Sequence, residues 1–310
     1  MFWKNKDKIM FISSMAIFGT IALFAKKINV SSGELALYRA VLAALIIFLF
    51  LIFTKQKIIL KNIKKELPLI LISGFAMGFN WIFLFEAYKY TTVSAATLSY
   101  YFAPIIVTIA CPIIFKEKIG LKEIICFIMS TIGIVLITGL GGSGGNHSHL
   151  IGILLGLAAA SLYATVMIIN KCVKSIGGIH RTFIQFLAAI IVLIPYVLFT
   201  SGITIGSLET NGWICLLIVG IIHTGITYCM YFSSMKNMHG QSIAILSYID
   251  PLIAILVSVL ILNEPMTLLQ IIGGFLILIF TLINELNLDN IFKKKNKKIK
   301  EWLNIISFFI

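Results

Sequence analysis

The sequence predicts an all-α membrane protein of ten transmembrane helices, arranged as two inverted five-helix repeats. Three observations predict it: an apolar excess that no soluble globule can cover, ten apolar segments of bilayer length, and a polar pattern that recurs at constant offset. Of 310 residues, 59% are hydrophobic and 12% charged, with a mean hydropathy of +1.03. An ordinary soluble domain is about 45–50% apolar and about 25% charged. Composition therefore excludes a water-soluble globule. The 25 Lys and Arg against 12 Asp and Glu, a net charge of +13, would suggest nucleic acid in a soluble protein. The placement of those lysines gives them another meaning.

A bilayer-spanning helix needs about 20 mostly apolar residues, within a range of about 17–25. Ten such segments run over 9–25, 35–54, 67–88, 91–115, 121–140, 150–170, 182–200, 212–235, 241–262 and 267–284. The first is read as a retained span. Lys26-Lys27 follows its apolar run, where a removable signal peptide carries a small-residue cleavage site. The second carries Arg39 beside Tyr38; the third holds Asn80 and Trp81 near its middle and Glu86 near its end. The fourth places Tyr100 and Tyr101 ahead of Pro104, and the fifth completes a first repeat over 9–140. Gly141-Gly142-Ser143-Gly144-Gly145 lies in an external linker, 141–149, where Gly and Ser make a flexible connector. The second repeat runs over 150–285, with His223 and Tyr228 in its eighth span and Tyr248, Asp250 and Pro251 in its ninth. Residues 286–310 form a basic cytoplasmic tail whose apolar end, Trp302 to Ile310, is too short to span. That end either lies on anionic lipid or is disordered.

Orientation follows from the basic residues, because cytoplasmic loops carry excess Lys and Arg. With the N-terminus inside, 21 of the 25 fall on the cytoplasmic side, Lys26, Lys27 and Lys89 fall outside, and Arg39 lies within a span. Both termini are thus expected in the cytoplasm, in a multi-pass protein of the cell (inner) membrane.

The halves repeat. Tyr101-Phe102-Ala103-Pro104 precedes Glu117, and Tyr248-Ile249-Asp250-Pro251 precedes Glu264; both prolines and both glutamates are 147 residues apart. The same offset pairs Gly78 with Gly225, Phe85 with Phe232 and Lys89 with Lys236, while upstream it drifts to 145 and pairs Lys26 with Lys171. Matching polar letters over an ungapped stretch are hard to obtain by chance. With five spans in each repeat, equivalent helices run in opposite directions, the arrangement from which many secondary transporters are built.

The five-plus-five spans, the Asn80…Tyr101-x-x-Pro104…Glu117 pattern and its echo Tyr248-x-x-Pro251…Glu264 resemble the drug/metabolite transporter superfamily, EamA-type. One departure is Phe18-Gly19 where relatives often carry Trp-Gly. The resemblance implies ten helices and export or exchange of small metabolites such as amino acids, or of drugs.

Ionisable groups inside spans are costly and face the bundle interior or a wet cavity. Arg39 either meets a substrate carboxylate or an internal acid, or reaches the outer surface and pairs with Glu34. Asp250, just before Pro251, is an amine ligand or a proton-carrying carboxylate, or else a cap for donors freed at the proline. Pro104 and Pro251 should kink their helices, and Glu117 and Glu264 either close gates at the two faces or mark helix ends. Asn80, Trp81, Tyr100, Tyr101, Tyr228 and Tyr248, with Tyr38 beside Arg39, form the candidate recognition surface, apolar faces with polar handles that suit small amphipathic solutes.

Other features carry less. His147 and His149 lack supporting Cys or acid, and no metal site is expected. His223 is read first as a hydrogen-bonded packing residue. The five cysteines show no paired spacing and read as packing residues. Gly74-x-x-x-Gly78 and Gly152-x-x-x-Gly156 permit close helix contact, more often within a chain than between chains. No glycine loop followed by Lys-Ser/Thr argues for ATP, and no cofactor is expected. The reading is a secondary transporter, an exporter working by alternating access. Its partners are a small-molecule substrate, the lipid bilayer and protons or another coupling ion, with no nucleic acid, as monomer or homodimer. The rivals are a membrane receptor or assembly subunit, and an intramembrane enzyme, for which no clustered catalytic set is found.

Overall fold

The structure is a computed structural model. It describes residues 2–56, 64–115, 120–138, 147–235, 238, 243 and 246–285. Glu117, linker residues 141–146 and the tail from 286 onward lie outside the described residues.

The spans follow in order. The first is Phe2–Gly19 continued by Ile21–Ala25, the second Ser32–Phe53 and the third Leu67–Tyr90. The fourth is Val93–Tyr100 and Ala103–Phe115, the fifth Leu121–Thr138, the sixth His147–Cys172 and the seventh Gly178–Thr200. The eighth joins Thr210–Leu217, a π-helical stretch Ile218–Ile226 and Thr227–Met235. The ninth is described as Ile249–Leu256 with a π turn Val257–Ile261, and the tenth is Leu268–Glu285. Among the described residues, seven helices are long and apolar enough to cross a membrane, and Ile249–Ile261 and Leu268–Asn284 are shorter apolar helices. Their outward side chains are large and apolar, as at Phe53 and Phe199, which is 90% exposed. In a bilayer, lipid covers such a surface.

Helix ends follow local chemistry. The first helix starts upstream of residue 9, because the polar stretch Lys4 to Lys8 continues the same helix beyond the apolar run. The second begins one residue after Ser31, whose side chain accepts the amide of Glu34 at 3.1 Å, an N-cap that satisfies one orphan donor. Thr92 does the same for the fourth span, accepting from Ala95 at 3.2 Å.

Two spans are broken at equivalent points. The fourth stops at Tyr100, passes through a tight turn in which Phe102 N–H bonds Ser99 O at 3.2 Å, and restarts at Ala103. The ninth shows a turn at Tyr248 and restarts at Ile249. In place of a kink in a continuous helix, each proline sits in the first turn of a new segment. Its missing N–H is there one of the donors a helix start leaves unused.

The two repeats interlock. The third span packs on the sixth and seventh, and correspondingly the eighth packs on the first and second. The fourth packs on the sixth as the ninth packs on the first, while the second meets the seventh and the fifth meets the tenth. Each repeat therefore completes its core with helices from the other. Small residues let these backbones meet. A Cβ on Gly74 would lie 2.5 Å from Gln185 O and 2.6 Å from Ala188 Cβ, and one on Gly156 would lie 2.9 Å from Ser99 Cβ. Both glycine pairs in the sequence thus serve contacts within the chain.

One loop contact reports on pH. Glu66 accepts the amides of Lys174 and Ser175 at 3.2 and 3.1 Å and the Ser175 hydroxyl. The hydroxyl and the two amides hold its carboxyl below the ordinary range, near 4.3 in peptides. A depressed value stabilises the fold above the unfolded pKa, and that contribution is lost as pH falls through the folded value. Glu66→Gln should lower the apparent Tm at neutral pH, and the gap from wild type should close on acidification. A gap independent of pH would refute the assignment. Gly74→Val should cost about 1–3 kcal/mol by overpacking, while Gly206→Ala, with nothing within 4 Å of the added methyl, should leave the Tm of the detergent-purified protein near wild type.

Candidate functional site

Arg39 organises the centre. It keeps 5% of its surface accessible. Its Nε donates to Thr224 Oγ1 at 2.7 Å, and its guanidinium carbon stands 4.6 Å from the Trp81 ring centroid and 5.5 Å from that of Phe85. The second span supplies the cation, the third supplies two rings four residues apart on one face, and the eighth supplies the hydroxyl. A desolvated cation–π contact contributes about 2 kcal/mol and a charge-assisted hydrogen bond about 1.5–3 kcal/mol. These contacts offset the several kcal/mol that burying an ion costs.

Thr224 reaches Arg39 because the eighth span is π-helical there. Its hydroxyl donates to Val219 O at 2.8 Å and that of Thr227 to Ile222 O at 2.7 Å, both five residues back. The wider turn shifts side-chain directions relative to an α-helix, and such turns cluster at functional sites. His223 is satisfied on both ring nitrogens, by Thr20 Oγ1 at 2.9 Å and Ile218 O at 3.3 Å, as a packing histidine should be.

Arg39 does not pair with Glu34. That carboxylate accepts Thr204 N at 2.7 Å, Thr204 Oγ1 at 2.5 Å and Ile205 N at 3.0 Å, so it anchors the chain after the seventh span. Tyr38 points its hydroxyl toward Glu34 at 3.5 Å, the limit of hydrogen-bonding distance. The structure therefore associates Tyr38 with Glu34 although Arg39 is its neighbour in sequence.

Aromatic rings extend the cage. Trp81 meets Phe186 edge-on at 5.2 Å, Phe186 meets Tyr228 at 5.3 Å, and Tyr228 meets Phe18 at 5.2 Å. Tyr100 stacks on Tyr163 at 5.2 Å. Asn80 donates to Ala159 O at 2.6 Å, tying the third span to the sixth. At the two broken spans, Tyr101 donates to Asp250 Oδ2 at 2.5 Å. A Cβ on Gly19 would lie 2.5 Å from the Asp250 carbonyl, so the first span packs directly on this break. Tyr248 is buried in a second cluster with Leu98, Ile134, Ile153 and Ile277. Tyr88 and Tyr228 lie within electrostatic reach of both Arg39 and Asp250.

Glu264 ends the ninth span as a hub. One oxygen pairs with Lys26; the other accepts Val93 N at 2.7 Å and Ser258 Oγ at 2.5 Å. The ends of the first, fourth and ninth spans are thereby joined. Beside it a cavity of about 560 Å³ is walled by Lys26, Lys27, Lys89, Ser32, Phe85 and Tyr88, among others. Phe85 is common to this cavity and to the Arg39 cage. Lys89 pairs with Glu86 at 3.0 Å, and Ser32 donates to the same carboxylate at 2.5 Å.

Of the residues expected from sequence, Arg39, Trp81 and Tyr228 come together with Phe85, Phe186 and Thr224. Tyr101 and Asp250 form a pair of their own, with Tyr100 beside Tyr101. Thr224 and Phe186 are not among the residues expected from sequence, and Phe85 is there only as the repeat partner of Phe232. A threonine one residue after His223 in an otherwise apolar span was the available signal for Thr224.

A bundle of two interlocked five-span repeats, with polar groups half-buried where two broken helices meet, defines a multi-pass membrane transporter. The chain belongs to the EamA-like transporter family, whose profile matches residues 7–139 and 150–285. It is similar to the uncharacterized transporter YxxF of Bacillus subtilis (strain 168), with 31% identity over 254 residues covering 81% of this chain and 80% of that one. It is also similar to an uncharacterized transporter of Clostridium kluyveri, 26% identical over 293 residues, covering 90% and 93% of the two chains. A solved crystal structure at 16% identity superposes with a TM-score of 0.60, covering 90% of this chain and 96% of the other; that likeness shows the fold.

Trp81→Ala should remove both the ring beneath Arg39 and the edge contact to Phe186. Truncating a buried Trp costs about 3–5 kcal/mol, so thermal unfolding in detergent should shift to clearly lower temperature, with Trp81→Phe intermediate. Equal Tm values for Trp81→Ala and wild type would show that the ring is not part of the packed centre.

Proposed function

We propose that the protein is a secondary transporter that moves a small organic metabolite, such as an amino acid, or a drug, outward across the cell (inner) membrane by alternating access. Both termini face the cytoplasm, as the 21 basic residues on that side argue. The working units are the repeats 9–140 and 150–285, joined by the linker 141–149.

The single observation that carries this reading is the Tyr101–Asp250 hydrogen bond. It joins the equivalent breaks of the fourth and ninth spans across the repeat interface. Discontinuous helices meeting at such an interface are where inverted-repeat transporters bind substrate and coupling ions. Arg39, Asn80, Trp81, Tyr100, Tyr101, Tyr228, Tyr248 and Asp250, with Tyr38 at the edge, make up the proposed binding region. Pro104 and Pro251 are the proposed hinges. The Lys26–Glu264 pair with Val93 and Ser258 supports a closed gate at the outer face. Glu117, the sequence image of Glu264, is assigned the same work at the cytoplasmic face, where Lys171 is the image of Lys26.

Proteoliposome flux across a panel of metabolites and drugs is the direct test. Substrate-dependent flux above empty vesicles is expected; ligand binding with none, together with a stable partner on purification, would instead favour a receptor or assembly subunit. If Asp250 carries the coupling proton, Asp250→Asn should abolish pH-gradient dependence while leaving exchange largely intact. Unchanged pH dependence would remove Asp250 from that role.

A further inference from the structure

We propose that the solute held at the centre is an organic monocarboxylate, whose carboxylate pairs with the terminal nitrogens of Arg39 and whose apolar body lies against Trp81, Phe85 and Tyr228. Its transport rests on the reading above; its binding does not.

The argument starts from an incomplete set of bonds. Arg39 as a residue keeps 5% of its surface accessible, and its guanidinium gives Nε to Thr224. Its terminal nitrogens meet no acceptor within hydrogen-bonding distance among the described residues. Within the same residues the ion pairs are Lys26–Glu264 and Lys89–Glu86, so no carboxylate lies within 4 Å of Arg39. The Trp81 and Phe85 rings lie 4.6 and 5.5 Å from the guanidinium carbon. A planar fork of donors left open in this way fits a two-oxygen acceptor, which carboxylate supplies bidentately.

Charge decides among candidate solutes. In a low-dielectric site one guanidinium is neutralised by one negative charge. A monoanion leaves the centre neutral. A zwitterionic amino acid leaves it at one positive charge, a cationic amine adds to the repulsion, and a dianionic phosphate overcompensates. Asp250 keeps its charge while accepting from Tyr101, but no ion pair joins it to Arg39 within 4 Å, so it is not the group that neutralises the guanidinium. The walls agree: apolar rings with few polar groups suit an uncharged body.

The test is binding to the full chain in nanodiscs, measured by thermal shift and calorimetry. The probes are phenylacetate, phenylacetamide, phenylalanine, phenethylamine and inorganic phosphate. Phenylacetate should bind about tenfold or more tightly than phenylacetamide, as expected for a charge-assisted hydrogen bond, with phenylalanine weaker than phenylacetate and the amine and phosphate weakest. Arg39→Gln should abolish the preference for acid over amide, and Arg39→Lys should restore part of it. Should Arg39→Gln lose its cooperative melt, Thr224→Val replaces it. That variant frees the guanidinium and should weaken phenylacetate more than phenylacetamide. The proposal is overturned if the amide or the amine matches the acid, if phenylalanine binds more tightly than phenylacetate, if phosphate binds best, or if no probe binds folded protein at millimolar concentration. Phenylacetate that binds through Arg39 yet shows no flux in proteoliposomes upholds the site and overturns the transport reading. Flux of a neutral or cationic solute unaffected by Arg39→Gln upholds transport and overturns the site.

Discussion

Hydrocarbon offers no hydrogen bonds, so every backbone N–H and C=O inside a bilayer must be satisfied by the chain itself. That constraint organises this molecule. Its spans are helical wherever lipid can reach them, and their outward faces carry Phe, Leu and Ile. The main departures from regular helix occur where protein surrounds the backbone; the π turn Val257–Ile261 differs, with Leu260 and Ile261 exposed. The turn at Tyr101–Phe102 lies against the second repeat through Asp250, and the turn at Tyr248 is buried among Leu98, Ile153 and Ile277. The π stretch of the eighth span is covered by the second span, where Gly220 and Gly225 face Leu42 and Ile46. These three irregularities are sheltered, and each places a polar group in the interior.

The interlocking of the repeats follows from the same economy of contact. Apolar helices gain little from hiding in a bilayer that is itself apolar, so close packing and interhelical hydrogen bonds hold them together. Gly74 against Gln185, Gly156 against Ser99 and Gly133 against Gly273 bring backbones into direct contact. Asn80 to Ala159 and Gln185 to Ser73, the latter at 2.6 Å, add hydrogen bonds. Because the third span packs on two helices of the second repeat, and the eighth on two of the first, neither repeat has a complete core alone.

Much of the fold was legible in the residues. Segment lengths gave ten spans, and a constant offset of 147 between two prolines and two glutamates marked the repeat. Both features are local or periodic, and bilayer thickness translates them directly into structure. The site was legible in part. Arg39 and Asp250 stood out because charge is rare in hydrocarbon, and Trp81 and Tyr101 because they lie deep in their spans. Thr224 did not stand out, since its contact with Arg39 depends on a widened helical turn 185 residues away in sequence. Glu34 was a plausible partner for Arg39 from spacing alone. The loop at Thr204 and Ile205 presents it with three donors and takes it instead.

The sequence by itself determined that this is a helical membrane protein, how many spans it has and that its halves are related, because those properties follow from hydropathy, length and repetition along one chain. Only the tertiary structure decided which polar groups meet. Whether Arg39 faces a carboxylate or a cage of rings, and whether Asp250 meets Tyr101, depends on helix packing and on breaks that set side-chain direction. Those are properties of several spans at once, and no single stretch of residues carries them.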